Sequence, residues 1–209
     1  MRSMRRAYYN AFSRCYDRFV ALHSHDQQGL ARTFLADRVP IQGGGVVLDL
    51  CTGTGSLLPY LHRRVGPNGC VIGLDFSRGM LTAGHKKMRG FPNVLLVEAE
   101  VEQLPFPPST FDAVTCSHAF YELKEDAQEG ALREVLRILR PMGTFLMMEH
   151  DVPRNPIVRG LFYLRLASMG MGRAVSILRY EQDLLKKYFG RVDKIHTPEG
   201  RSKILRCWK

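Results

Sequence analysis

Apolar positions along this chain alternate between two rhythms. VVLDL (46–50) is a short continuous apolar run, the pattern of a strand buried on both faces. After a glycine-rich turn, SLLPYLHRRV (56–65) carries apolar residues at helical spacing, and GPNG (66–69) is turn chemistry. CVIGLD (70–75) predicts a second strand and RGMLTAGHKKMRG (78–90) a second helix closed by a glycine. VLLVE (94–98) and AVTCS (113–117) predict a third and a fourth strand. In EGALREVLRILR (129–140), Leu132, Val135, Leu136 and Leu139 share one helical face; Pro141 and Gly143 stop that helix before a fifth strand, TFLMME (144–149). Strands alternating with helices across short turns predict a parallel sheet covered on both sides. The end differs: RVDKIHT (191–197) and SKILRCW (202–208), joined through PEGR, predict two strands of an antiparallel hairpin at one edge. The expected fold is α/β and doubly wound, with seven strands.

At 209 residues the chain has room for one domain. Its expected parts are an N-terminal helical cap (1–40), a core (41–150), a cover inserted after the fifth strand (151–188) and the C-terminal strands (189–209). Apolar stretches break well before the roughly 18 residues a spanning helix needs, and the basic start lacks the apolar stretch of a secretory signal. The five cysteines are odd in number, widely spaced and without a CxxC pair. That pattern argues against a disulfide framework or a metal site and for a reducing, cytoplasmic setting. The formal net charge of +10 is uneven: residues 1–40 carry +4, residues 41–150 carry −2 and residues 151–209 carry +8. A uniformly basic nucleic-acid binder would not be distributed this way, and no nucleic-acid partner is expected.

DLCTGTG (49–55) stands where the first strand meets the first helix of the core. Gly53 and Gly55 allow a sharp turn and close backbone approach to a ligand, where helix amides face outward. No Lys follows in the P-loop pattern, which excludes that mode of nucleoside triphosphate binding. Leu58 stands where a dinucleotide fingerprint has its third glycine. A tight strand–helix turn with no ligand would use the same glycines. Asp75, which ends the second strand 26 residues after Asp49, favours a ligand, because a carboxylate there can accept both hydroxyls of a ribose.

Four segments, VVLDLCTGTG, VIGLDFSRGML, the ExLPF segment with TFDAVTCSHAF, and EVLRILRPMGTFLMME, occur in this order over roughly residues 46–149. Together they resemble the class I S-adenosylmethionine-dependent methyltransferases, most closely the ubiquinone/menaquinone biosynthesis C-methyltransferase group. The resemblance implies a Rossmann-like sheet and S-adenosylmethionine as cofactor. It places backbone groups of Cys51, Thr52, Gly53 and Gly55 around the methionine moiety, with Asp49 ordering the loop. Asp75 would take the ribose hydroxyls, with Phe76 beside it, and Met80 would pack on the adenine. Glu100, where the family usually has Asp, would accept from the adenine amino group beside the Val101 amide. Ser117 would lie near the amino-acid part. YYNAFSRCYDRFV also resembles the family's N-terminal helix and places Tyr16 over the cofactor; an amphipathic helix packing Phe12, Tyr16 and Phe19 on the core is the alternative.

Methyl transfer needs alignment, a dry pocket and, for some acceptors, a base. His118, just past the fourth strand, and His150, after the fifth and beside Glu149, are the candidate catalytic residues; Tyr121 and Glu122 are further pocket candidates. Either histidine could equally be an ordinary loop or cap residue. Cys51 as a nucleophile lacks a paired base, and packing is the simpler role. In 151–189, Leu161, Leu164, Ile177, Leu178, Met169 and Met171 suit an apolar wall, and Arg159, Arg165, Arg173 and Arg179 add a basic face. Such a segment suits either a soluble cover or peripheral contact with an anionic membrane surface. The expected function is methyl transfer to a small apolar or aromatic acceptor, quinone- or lipid-like. A non-catalytic cofactor-binding module docking an acidic partner is the second expectation, and an RNA methyltransferase a weaker third.

Overall fold

The computed structural model describes residues 2–13, 15–17, 29–41, 43–152, 155–168 and 174–209. Phe19, Met169, Met171 and Arg173 lie outside the described residues. Two helices, α1 (Arg2–Phe12) and α2 (Leu30–Asp37), precede the sheet. The core runs β1 (Val46–Leu50), α3 (Leu58–Val65), β2 (Cys70–Asp75), α4 (Arg78–Lys87), β3 (Val94–Glu98), β4 (Phe111–Ser117), a 3-10 turn (Phe120–Glu122), α5 (Glu125–Ile138) and β5 (Leu139–His150). Then come α6 (Pro156–Ser168), α7 (Ala174–Lys186), β6 (Arg191–His196) and β7 (Ser202–Trp208).

The seven strands form one sheet in the order β3-β2-β1-β4-β5-β7-β6. Pairings from β3 through β5 are parallel, and β7 pairs antiparallel with both β5 and β6. The expected C-terminal hairpin is present, with its second strand slotted against β5 and its first at the edge. One face of the sheet packs Leu48, Leu50, Val114, Phe145 and Met147 against Leu132, Val135 and Ile138 of α5 and Leu185 of α7. The other packs Val47, Val71, Ala113 and Leu146 against Leu35 of α2 and Leu58, Leu61 and Val65 of α3. Burial on both faces is why the central strands of the parallel part read as largely apolar runs.

The largest boundary difference from expectation is at the start of β5. The helix expected over 129–140 ends at Ile138, and β5 starts at Leu139, paired with Phe111. A register shift between Phe111 and Ala113 lets the ladder absorb Arg140–Gly143, with Met142 at φ 67°. A bulge tolerates a proline and a left-handed residue inside a strand, so Pro141 ends the helix without delaying the sheet. The chain reverses its winding between β2 and β4, on either side of β1. The connections leaving the carboxyl ends of β1 and β4 therefore run to opposite faces of the sheet and leave a crevice between them, where ligands of such sheets bind.

Candidate active site

The loop after β1 is built on Asp49. This carboxylate is buried and accepts from the Thr52 hydroxyl at 2.7 Å and the Thr115 hydroxyl at 2.8 Å, joining β1, the loop and β4. Burial outweighs both hydrogen bonds and pushes its pKa up to about 7. The turn itself needs left-handed backbone at Cys51, Gly53 and Gly55, with φ of 52°, 57° and 76°. Glycine adopts that conformation without strain, whereas Cys51 holds it with a side chain. The Cys51 side chain points into the core, where the buried Cys116 thiol shares a hydrogen bond with it. That contact gives Cys51 a packing role.

Asp75 faces the same loop from the end of β2. Its two oxygens each accept one backbone bond at 2.9 Å, from Gly53 N–H and from Ser77 N–H. A carboxylate oxygen has a second lone pair, so one acceptor site on each oxygen is left over. The pKa of Asp75 is pushed up to about 6, by burial against the opposing effect of those two bonds. Ser77 caps α4, its Oγ accepting from Met80 N–H at 3.3 Å, and Met80 is buried behind the site. Phe76 stands more open, edge-on to Tyr9 with ring centroids 5.5 Å apart, and Arg5 lies 5.3 Å above its ring.

Helix α1 lies across this end of the sheet. Asn10 Oδ1 accepts from Ser77 Oγ at 2.8 Å and from Gly79 N–H at 2.9 Å, so the helix is tied to the start of α4. Tyr9 donates its hydroxyl hydrogen to Glu122, and Arg6 pairs with Glu100 at 3.0 Å. Past the helix, Asp17 accepts from Thr54 at 2.7 Å and pairs with Lys87 at 2.6 Å. Tyr16 rests over the loop: a Cβ added to Gly53 would lie 4.0 Å from its ring. Its hydroxyl pKa is pushed up to about 12 by burial and by the nearby Glu122 and Asp75 carboxylates. Phe12 stacks edge-on against Tyr16, and neither belongs to the two apolar clusters of the sheet. Glu100 is thus engaged by Arg6, while Val101 is buried next to it.

Ser117 and His118 end β4 across the crevice. His118 takes left-handed backbone, φ 51°, and donates its N–H to Met148 O at 2.7 Å. Its Nδ1 is enclosed and has no hydrogen-bond partner. Burial, then the neighbouring His150 and Arg32, hold its pKa well below the ordinary histidine value, so the ring is neutral. The His118 and His150 rings lie 4.5 Å apart, and Tyr121 is 5.7 Å from His150. The structure therefore brings both candidate histidines and Tyr121 together past the carboxyl ends of β4 and β5. Asn10, Arg6 and Tyr9 carry no local pattern that marks them; each bridges to a residue 67 to 113 positions away. Lys203 did leave a signal, as a lysine within a run of strand residues, where a buried charge demands a partner.

A glycine-lined loop at a sheet's switch point, with a carboxylate at the end of the neighbouring strand, defines a site for a nucleoside-type cofactor. The acceptor sites left on Asp75 fit ribose hydroxyls, and the left-handed glycines fit close backbone approach. Residues 47–143 match the family described as methyltransferase domain. The chain is similar to the S-adenosylmethionine-dependent methyltransferases. It is 37% identical over 146 residues to the ubiquinone/menaquinone biosynthesis C-methyltransferase UbiE of Hahella chejuensis, covering 68% of this chain and 58% of the relative. It is 33% identical over 152 residues to the demethylmenaquinone methyltransferase of Staphylococcus aureus, covering 73% and 62%. The chain spans about three fifths of the length of these curated relatives. A SAM dependent methyltransferase from Aquifex aeolicus shares the fold with TM-score 0.67 and 21% identity, covering 92% of this chain and 97% of that one. So does the [4+2]-cyclase SpnF, with TM-score 0.58 and 19% identity over 86% and 80%.

Proposed function

We propose that this protein transfers the methyl group of S-adenosylmethionine to a ring carbon of a small apolar acceptor of the quinone type. The observation that carries this assignment is the Asp75 carboxylate at the end of β2, facing the left-handed glycine loop with one acceptor site left on each oxygen. The names of the relatives, two quinone-biosynthesis methyltransferases, support the acceptor class. S-Adenosylmethionine supplies a methyl group activated on sulfonium. Asp75 holds the ribose hydroxyls, the amides around Cys51–Gly55 hold the amino-acid end, and Met80 and Val101 give apolar walls to the base. Tyr16 and α1 close over the site and keep water out. Methylating a ring carbon releases a proton. His118 and His150, whose rings lie 4.5 Å apart past the ends of β4 and β5, are the candidate groups to take that proton.

The acceptor pocket would be covered by α6 and α7. Ile157, Leu161 and Leu164 stand 74%, 62% and 67% exposed, spaced to share one face of α6. An apolar stripe within a segment of net positive charge supports reversible contact with an anionic membrane surface, from which a lipid-soluble acceptor would be drawn. No helix among the described residues is long and apolar enough to cross a membrane. The test is to incubate the protein with deuteromethyl S-adenosylmethionine and a lipid extract, and to look for labelled product by mass spectrometry. A labelled apolar product is expected. Cofactor binding without transfer would favour a non-catalytic module, and binding to neutral and anionic vesicles alike would reject the membrane contact.

A further inference from the structure

Behind the acceptor-side rings lie three buried charged side chains. Glu149 is near the end of β5, Lys203 stands directly across from it in β7, and Glu181 comes from α7. They are 1%, 1% and 3% exposed respectively. Lys203 Nζ is ion-paired with Glu181 Oε1 and donates to Leu178 O at 2.9 Å. Glu149 Oε1 accepts from Phe120 N–H at 3.0 Å, and its carboxyl also takes the N–H of Tyr121. Glu149 Oε2 and Glu181 Oε2 are sealed from solvent, each without a partner.

Two carboxylates against one ammonium leave a net negative charge in a dry place, an unfavourable arrangement. A single proton cures both defects. Bound to one carboxyl, it removes the excess charge; donated to the other, it gives both orphaned oxygens a hydrogen bond. The two groups are neighbours, since Lys203 is opposite one and paired to the other, and Glu181 is the charge that acts most strongly on Glu149. We propose that Glu149 and Glu181 share one proton, forming with Lys203 a neutral buried trio, and that Glu149 is thereby a positioning residue for the acceptor pocket.

Burial and the second carboxylate push Glu149 well above the usual carboxyl range, and burial takes Glu181 up to about 7 despite Lys203. The other groups facing the pair are Glu122 from the turn, Lys194 from β6, Asp151 after β5, and the Cys116 and Tyr121 side chains. The trio acts on the turn at Phe120–Glu122. Glu149 takes its amides, while Gln128 of α5 donates to Phe120 O at 3.2 Å and Leu123 O at 3.1 Å. Pinned from both sides, the turn sets Tyr121 against His150, and Glu122 against Tyr9 of α1. The effect on turnover rests on the methyl-transfer assignment; the shared proton does not.

Infrared spectra of protein labelled with carbon-13 glutamate test the proton. A protonated glutamate carbonyl band is expected at neutral pH, lost in Glu149→Gln and in Glu181→Gln alike, because either amide can donate in place of the shared proton. Absence of the band in the native protein, or its survival in either variant, overturns the proposal. With a demethylmenaquinol as the acceptor probe, Glu149→Gln should keep kcat within about threefold and flatten its pH profile. Glu149→Ala, which strands two amides, should lower kcat by about tenfold or more with cofactor affinity within about twofold. A kcat unaffected by Glu149→Ala overturns the positioning role. Native protein that shows the band yet transfers no methyl group refutes the methyl-transfer assignment alone.

Discussion

Replacing Asp75 by alanine removes the two acceptor sites on which the ribose assignment depends. In the native protein each carboxylate oxygen already accepts one backbone bond at 2.9 Å and keeps one lone pair for a ligand hydroxyl. A hydrogen bond to a charged group contributes about 1.5–3 kcal/mol, so two give about 3–6 kcal/mol at most. Part of that is offset, since the free carboxylate gives up water on its two remaining acceptor sites when the ligand binds. The lower figure, about 3 kcal/mol, is therefore the working value and corresponds to a Kd raised roughly 100-fold. Gly53 and Ser77 also lose their acceptor, an expected loss of about 1–2 kcal/mol and a fall in Tm of a few degrees. Isothermal titration with S-adenosylmethionine measures the first effect and thermal unfolding the second. A folded Asp75→Ala protein that binds the cofactor within about threefold of native would refute the role of this carboxylate.

Other outcomes follow from the same geometry. Because ribose hydroxyls donate to the ionised carboxylate, binding should release a proton near the pKa of Asp75, about 6 in the free protein. Affinity should fall by up to about tenfold per pH unit below that value and become flat in Asp75→Ala, as read by titration in buffers of different ionisation heat. Asp49 also carries a raised pKa, about 7 against an ordinary 3.8, so its contribution to stability declines as pH rises between those values. Asp49→Asn can still pair with both threonine hydroxyls and should raise Tm above pH 7; a lower Tm there would contradict a buried charge as the cost. A Cβ on Gly79 would lie 2.7 Å from Asn10 Cα and 2.8 Å from Asn10 O. Gly79→Ala should therefore lift α1, speeding N-terminal proteolysis and cofactor release by about tenfold, while the sheet keeps its stability. An unchanged release rate would show that α1 does not close the site.

The strands were legible because each is short and largely apolar: 46–50, 70–75, 94–98 and 202–208 match to the residue. The loop was legible because strand, turn and helix are contiguous, so Gly53, Gly55 and Asp75 could be placed from spacing alone. The start of β5 was not, since a bulge at Phe111–Ala113 decides it and no local pattern in 139–143 records the partner strand. The clasp of α1 escaped for a similar reason. Asn10 is an ordinary helical asparagine until Ser77 and Gly79 are brought beside it, and Arg6 is one of several arginines until Glu100 is. The histidines could be proposed from position, but their mutual distance and the enclosure of Nδ1 depend on how β4, β5 and the 118–122 segment pack. For Lys203 and Glu181 the sequence poses the question of a buried charge, and only the fold supplies the pairing.

The central claim is tested most directly by single-turnover methyl transfer from isotopically labelled S-adenosylmethionine to a demethylmenaquinol, with the product mapped by mass spectrometry. The expected result is label on a ring carbon with the native protein, and far less with Asp75→Ala at the same subsaturating cofactor concentration. Tight cofactor binding with no label on the quinol, or equal labelling by both proteins, would contradict it.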